Sequence, residues 1–107
     1  MRAPIIIIKK LPAAGMAIFP FILLKSERFK KDMEMINHEK IHLRQQLELL
    51  VFPFYIFYFF NYLINLFKYR NHNRAYRNII FEKEAYDHET DLDYLRTGHW
   101  YGWIAKI

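Results

Sequence analysis

A chain of 107 residues, 53% hydrophobic and 19% aromatic, suffices for one domain with a packed core and is too apolar to stay disordered. It has no cysteine, which excludes disulfides, thiolate metal sites and a cysteine nucleophile. That is compatible with a reducing cytoplasm, and any transition metal must be held by His, Asp or Glu. The net charge is +5 and unevenly spread. Lys68, Arg70, Arg74 and Arg77 cluster around His72, while residues 82–93 are acidic. Such a basic cluster serves a solvated face, an anionic membrane surface or nucleic acid, and the solvated face is the default reading.

No signal peptide is expected. Arg2 could open an n-region, but Lys9 and Lys10 interrupt the apolar run that begins at Ile5, and the run from Leu11 to Leu24 lacks a small-residue cleavage site. Ile5 to Ile8 reads as a strand. Ala17 to Leu24 reads as a second, with Pro20 placing it at a sheet edge or a bulge. From about Lys31 the pattern turns helical, with Ile36, Leu43, Leu47 and Leu50 on one face, and Pro53 should stop or kink this helix.

Residues 51–67 carry no charge and are strongly aromatic, with Asn61 and Asn65 their only strongly polar members. A scaffold helix buried behind the first is one use for them. The other is a helix that enters a membrane, with the basic residues from Lys68 onward meeting anionic headgroups. Burial is favoured, because a small domain needs an apolar centrepiece. Residues 69–74 read as a loop. A third helix is expected from Arg74 or Ala75 to about Leu95, with Gly98 past its end. The aromatic tail from His99 to Ile104 has no clear assignment.

The chemistry is concentrated in His38-Glu39-Lys40-Ile41-His42, an H-E-x-x-H pattern inside the first expected helix. Residues i and i+4 lie one turn apart on one face, so both imidazoles can reach one zinc ion. Glu39 projects beside them, where its carboxylate can take a proton from a zinc-activated water. A catalytic zinc needs a third protein ligand, and the downstream candidates are His72, Glu82, Glu84, Asp87, His88 and Glu89.

Together with Phe81-Glu82-Lys83-Glu84-Ala85, the pattern resembles the gluzincin layout, in which a Glu on a later helix completes the site. It is most similar to the F-E-x-x-A-D pattern of the CAAX-processing membrane proteases and to the E-x-x-x-D of the beta-lactam sensor peptidases. The resemblance covers roughly residues 36–95 and implies that Glu82 is the third zinc ligand. Those families carry Asp four residues after that Glu, supporting a zinc His. Here that position is Tyr86, and Asp87 follows it.

Glu82 and Glu84 are about 200° apart around a helix, so both cannot face one ion. The Glu84 face continues through Asp87 and Asp91 and is expected towards solvent. Asn78, one turn before Glu82, could face the cleft, and Tyr76 or Tyr86 could donate to an oxyanion. Gln45 and Gln46, three and four residues after His42 and near its face, could hydrogen-bond a ligand or a substrate, but helix surface is the favoured reading.

The expectation is therefore an α+β domain: a small N-terminal antiparallel sheet followed by three helices, with zinc held by His38, His42 and Glu82 between the first and third. The expected activity is hydrolysis of a peptide or protein substrate with Glu39 as general base. The alternative is a non-catalytic zinc-binding module, regulatory or membrane-associated. Membrane-surface association through 51–77 is the partner reading of the basic aromatic region. Nucleic acid is disfavoured, since no binding motif is present.

Overall fold

The isoleucine run forms β1 (Ile5–Ile7), and Gly15–Ile18 and Phe21–Leu24 form β2 and β3. The computed structural model describes residues 3–98 and 100–107, so the n-region candidate Arg2 lies outside it, with Met1 and His99. The second expected strand is thus a hairpin that turns at Phe19-Pro20. Proline cannot donate a ladder hydrogen bond, so the chain reverses at Pro20 instead of passing through it. The sheet is ordered β1-β3-β2, with β2 antiparallel to β3 and β1 parallel to it. The expectation of a wholly antiparallel sheet is corrected accordingly: β1 is not a hairpin neighbour of β3, and β2 takes β3's other edge.

A 3-10 turn at Glu27–Lys31 leads into α1 (Met33–Leu49), whose N-cap Asp32 accepts from Met35 N at 3.1 Å. Ile36 and Leu43 pack on Ile22 and Leu24 of the sheet, as the helical face predicts. On another side Ile41 packs with Ala85 and Tyr94. The chain covers α1 on several sides, which is why ten consecutive-turn residues between Ile36 and Gln46 are buried, polar ones included. Leu47 and Leu50 of the expected face are exposed instead.

The helix ends at Leu50 (φ 62°), not at Pro53, and α2 (Val51–Tyr69) leaves at 111° to α1. Pro53 sits in the first turn of α2, where its missing N–H costs no helical bond. The expected third helix is three: α3 (His72–Arg77), α4 (Ile80–His88) and α5 (Tyr94–Thr97). The break between α3 and α4 has a tertiary cause. Buried Ile79 is extended, and the freed N–H of Ile80 donates to Asn61 Oδ1 of α2 at 2.8 Å. The expected loop at 69–74 shrinks to Arg70 and Asn71, because the Asn71 side chain caps α3 at Arg74 N.

The reading of α2 as a buried scaffold is also corrected. Only Phe54 and Asn65 are buried. Phe52, Phe57, Phe59, Phe60, Ile64 and Phe67 are each more than half exposed. The helix turns its polar groups inward. Tyr55 OH donates to Ala17 O, Tyr62 OH pairs with His72 Nδ1, and Asn65 Nδ2 donates to Ala75 O. No single helix among the described residues is long and apolar enough to cross a membrane; only the bent α1–α2 pair has the length and composition. The tail forms a 3-10 turn at Gly102–Lys106 that packs behind α4, where Trp103 meets Phe81 at 5.3 Å between ring centroids.

Candidate metal centre

His38 and His42 lie one turn apart on α1, and both point at α4, where Glu82 faces them. The Nε2 atoms of the two rings are 3.2 Å apart. Glu82 Oε1 lies 3.2 Å from the first and 3.0 Å from the second. All three residues are buried. Ligand atoms at zinc's usual bond lengths sit about 3.3 Å from one another around a tetrahedral ion, so this donor set has nearly the spacing that zinc requires. Three convergent nitrogen and carboxylate donors, with no lysine or arginine among them, fit zinc chemistry.

Each ligand is held from behind. Gln45 Oε1 meets His42 Nδ1 at 2.8 Å, and Gln45 Nε2 donates to Phe81 O and Glu84 Oε1 at 2.9 and 2.8 Å. Tyr58 OH donates to Glu82 Oε2 at 2.6 Å, leaving Oε1 for the histidines. His38 Nδ1 is buried without a hydrogen bond, and Glu89 Oε2 stands 3.6 Å from it. Asn37 Nδ2 fixes the approach of Glu89 by donating to the carbonyls of His88, Glu89 and Asp91. Glu89, just past the end of α4, therefore stands near His38.

Burial and mutual charge shift the protonation of His42, Glu82 and Glu39. Burial opposes charge on His42, but the adjacent Glu82 carboxylate outweighs it and raises the ring's pKa to about 9. Burial would raise Glu82, yet His42 beside it and hydrogen bonds from both rings and Tyr58 hold it well below the usual carboxylate range. Burial raises the Glu39 carboxyl, against the pull of His42 and His38.

The centre borders a cleft with two arms. A cleft of about 490 Å³ is bounded by Gly15, Ala17, Glu39, His42, Tyr58 and Glu82 among others. A second arm runs past His38, Glu39, Tyr76, Tyr86 and Glu89. Glu39 and Tyr76 line both arms. The edge strand β2 forms the opposite wall, and a Cβ on Gly15 would stand 3.3 Å from Glu39 Oε2.

Of the other sequence candidates, Tyr86 stacks edge-on against His38 at 4.5 Å. Asn78 is not at the site: it ends α3, and its side chain donates to Arg74 O at 2.8 Å. Glu84 is not solvent-facing but buried, accepting from Gln45 and, at 2.6 Å, from Tyr94 OH. The expectation failed because α5 and the tail cover that side of α4. His72 pairs with Tyr62, His88 stacks on Tyr94, and Asp87 pairs with Lys106, so none of these joins the centre. No described tail residue lines either arm of the cleft. Sequence reasoning missed Tyr58 and Asn37, and its preference for Gln45 and Gln46 as helix surface is corrected, since both are buried. Of Tyr58, Asn37 and Gln45, only Gln45 left a signal, three residues after His42 on its face. No family model, no curated protein and no solved structure matches the chain.

Proposed function

We propose that the protein is a minimal zinc-dependent peptidase of gluzincin type. The observation that carries the reading is the convergence of His38, His42 and Glu82 beside a cleft whose wall holds Glu39. When bound there, zinc would supply an acidified water and a Lewis acid for the scissile carbonyl. Glu39 takes the proton of the attacking water and delivers it to the leaving amine. Gln45 and Tyr58 keep His42 and Glu82 aimed, so the donors need no rearrangement. Tyr76, which lines both arms, is placed to donate to the developing oxyanion. Tyr58 is already committed to Glu82 and Tyr86 to packing on His38. A peptide substrate would lie in the cleft between Gly15–Ile18 of β2 and the metal donors.

The test is cleavage of an unbiased peptide library by zinc-reconstituted protein. Wild type should bind one zinc per chain and cleave. Glu39→Gln should keep the metal and lose at least a hundredfold in rate, the contribution of general acid–base catalysis. Zinc binding by a protein that is inert in both forms would favour the non-catalytic module. Failure of wild type to bind zinc at all would end both readings.

A further inference from the structure

The inward face of α2 forms part of the cleft wall through Phe54, Tyr55 and Tyr58, but its outward face touches no described part of the protein. At 100° per residue, Phe52, Ile56, Phe59, Phe60, Leu63 and Phe67 fall on one half of the helix, and no polar side chain interrupts them until Lys68. The helix has 19 residues, about 28 Å of axial length.

From these features we infer that the outward face of α2 docks into the surface of a membrane rich in anionic lipid. Three observations select that occupant. First, the amphipathicity is inverted relative to a helix meeting water. The hydroxyls of Tyr55, Tyr58 and Tyr62 and the amides of Asn61 and Asn65 are bonded to the protein, as a lipid environment requires of polar groups. Second, the charge is complementary. No Asp or Glu occurs between Glu48 and Glu82, and the four Lys and Arg in that interval, all exposed, lie at the C-terminal end of α2 and on α3 beside it. Third, a protein partner is the poorer fit. Protein interfaces carry about one hydrogen bond per 100–200 Å² and a polar rim, and this face offers neither. A helix inserted to one side, with cations beside it, is the arrangement of interfacial anchors.

The inference does not depend on the peptidase reading, and its test reads no hydrolysis. Because the chain has no cysteine, a single introduced one takes an environment-sensitive fluorophore selectively. Full-length Phe60→Cys, Ile64→Cys and Glu27→Cys proteins would be labelled and mixed with vesicles of phosphatidylcholine alone or with about one-third phosphatidylglycerol. Labels at 60 and 64 should shift to the blue and be quenched by spin-labelled acyl chains in the anionic vesicles, while the label at 27 should stay aqueous. Lys68→Gln with Arg74→Gln should weaken vesicle binding about thirtyfold, at roughly 1 kcal/mol per basic residue. Labels at 60 and 64 that no acyl chain quenches would overturn the inference. A dimer that Phe60→Glu with Ile64→Glu dissociates, seen by light scattering without lipid, would reassign the face to a second copy of the chain.

Discussion

The ring of His42 is gripped at both nitrogens, by Gln45 at Nδ1 and by the Glu82 and His38 side at Nε2. These contacts fix the orientation of the ring: Gln45 Oε1 accepts from Nδ1 and so leaves Nε2 turned towards Glu82 and His38. Gln45→Leu keeps the volume and removes the grip, so zinc affinity should fall 10–100-fold, the usual effect of losing a group behind a ligand. Competition with a fluorescent zinc chelator would measure it, and an unchanged affinity would show that Gln45 only packs. Tyr58→Phe removes one hydrogen bond to an ionised carboxylate, about 1.5–3 kcal/mol, and should weaken binding roughly tenfold to a hundredfold. Glu82→Ala should cost well over tenfold. If Glu82→Ala bound zinc as tightly as wild type, the third ligand would lie elsewhere.

At the scale of elements, the corner between α1 and α2 fixes how the cleft is built, because it swings α2 across the open side of the metal centre. That corner rests on Leu50, whose φ of 62° and ψ of 146° lie where only glycine is at ease. Its side chain is 72% exposed, so little burial is lost on truncation. Relief of strain, about 1–3 kcal/mol, exceeds the unfolded-chain entropy that glycine adds, about 0.5–1 kcal/mol. Leu50→Gly should therefore stabilise the fold by about 1 kcal/mol in urea unfolding. A loss of stability would mean that Leu50 contributes contacts beyond those of its half-open position.

For the whole molecule, the three candidate metal donors join two helices, with His42 and Glu82 40 residues apart in sequence, so metal binding there would be coupled to folding. Without metal, the His42–Glu82 pair stabilises the fold through a raised histidine pKa. That contribution is complete below about pH 6.5 and is lost as pH rises through about 9. Glu82 acts in the opposite direction: its depressed carboxyl stabilises above the ordinary glutamate range and loses that contribution on acidification. Zinc requires the neutral ring and so competes with the His42 proton. The rise in melting temperature caused by excess zinc should be greater near pH 9 than near pH 6.5, and calorimetry near pH 7 in buffers of different ionisation enthalpy should detect proton release. A zinc effect independent of pH would contradict the assignment of His42.

The H-E-x-x-H spacing, the helix that carries it and the α+β order of elements are legible along the chain because they depend on contacts within a turn or on strand and helix periodicity. Glu82 was singled out by resemblance and by the helix-face comparison with Glu84, since no local rule links it to His42. The positions of Tyr58, Asn37, Glu84 and Glu89 depend on how α2, α4 and α5 pack around α1, so they became visible only in three dimensions. The breaking of the third helix had the same origin: Asn61 captures the Ile80 N–H from a distant element. Composition marked α2 as apolar, but only its orientation decided which side the apolar groups occupy. Tyr55, Tyr58, Tyr62, Asn61 and Asn65 of that helix found their hydrogen-bond partners inside the protein, and every phenylalanine but Phe54 was left largely outside.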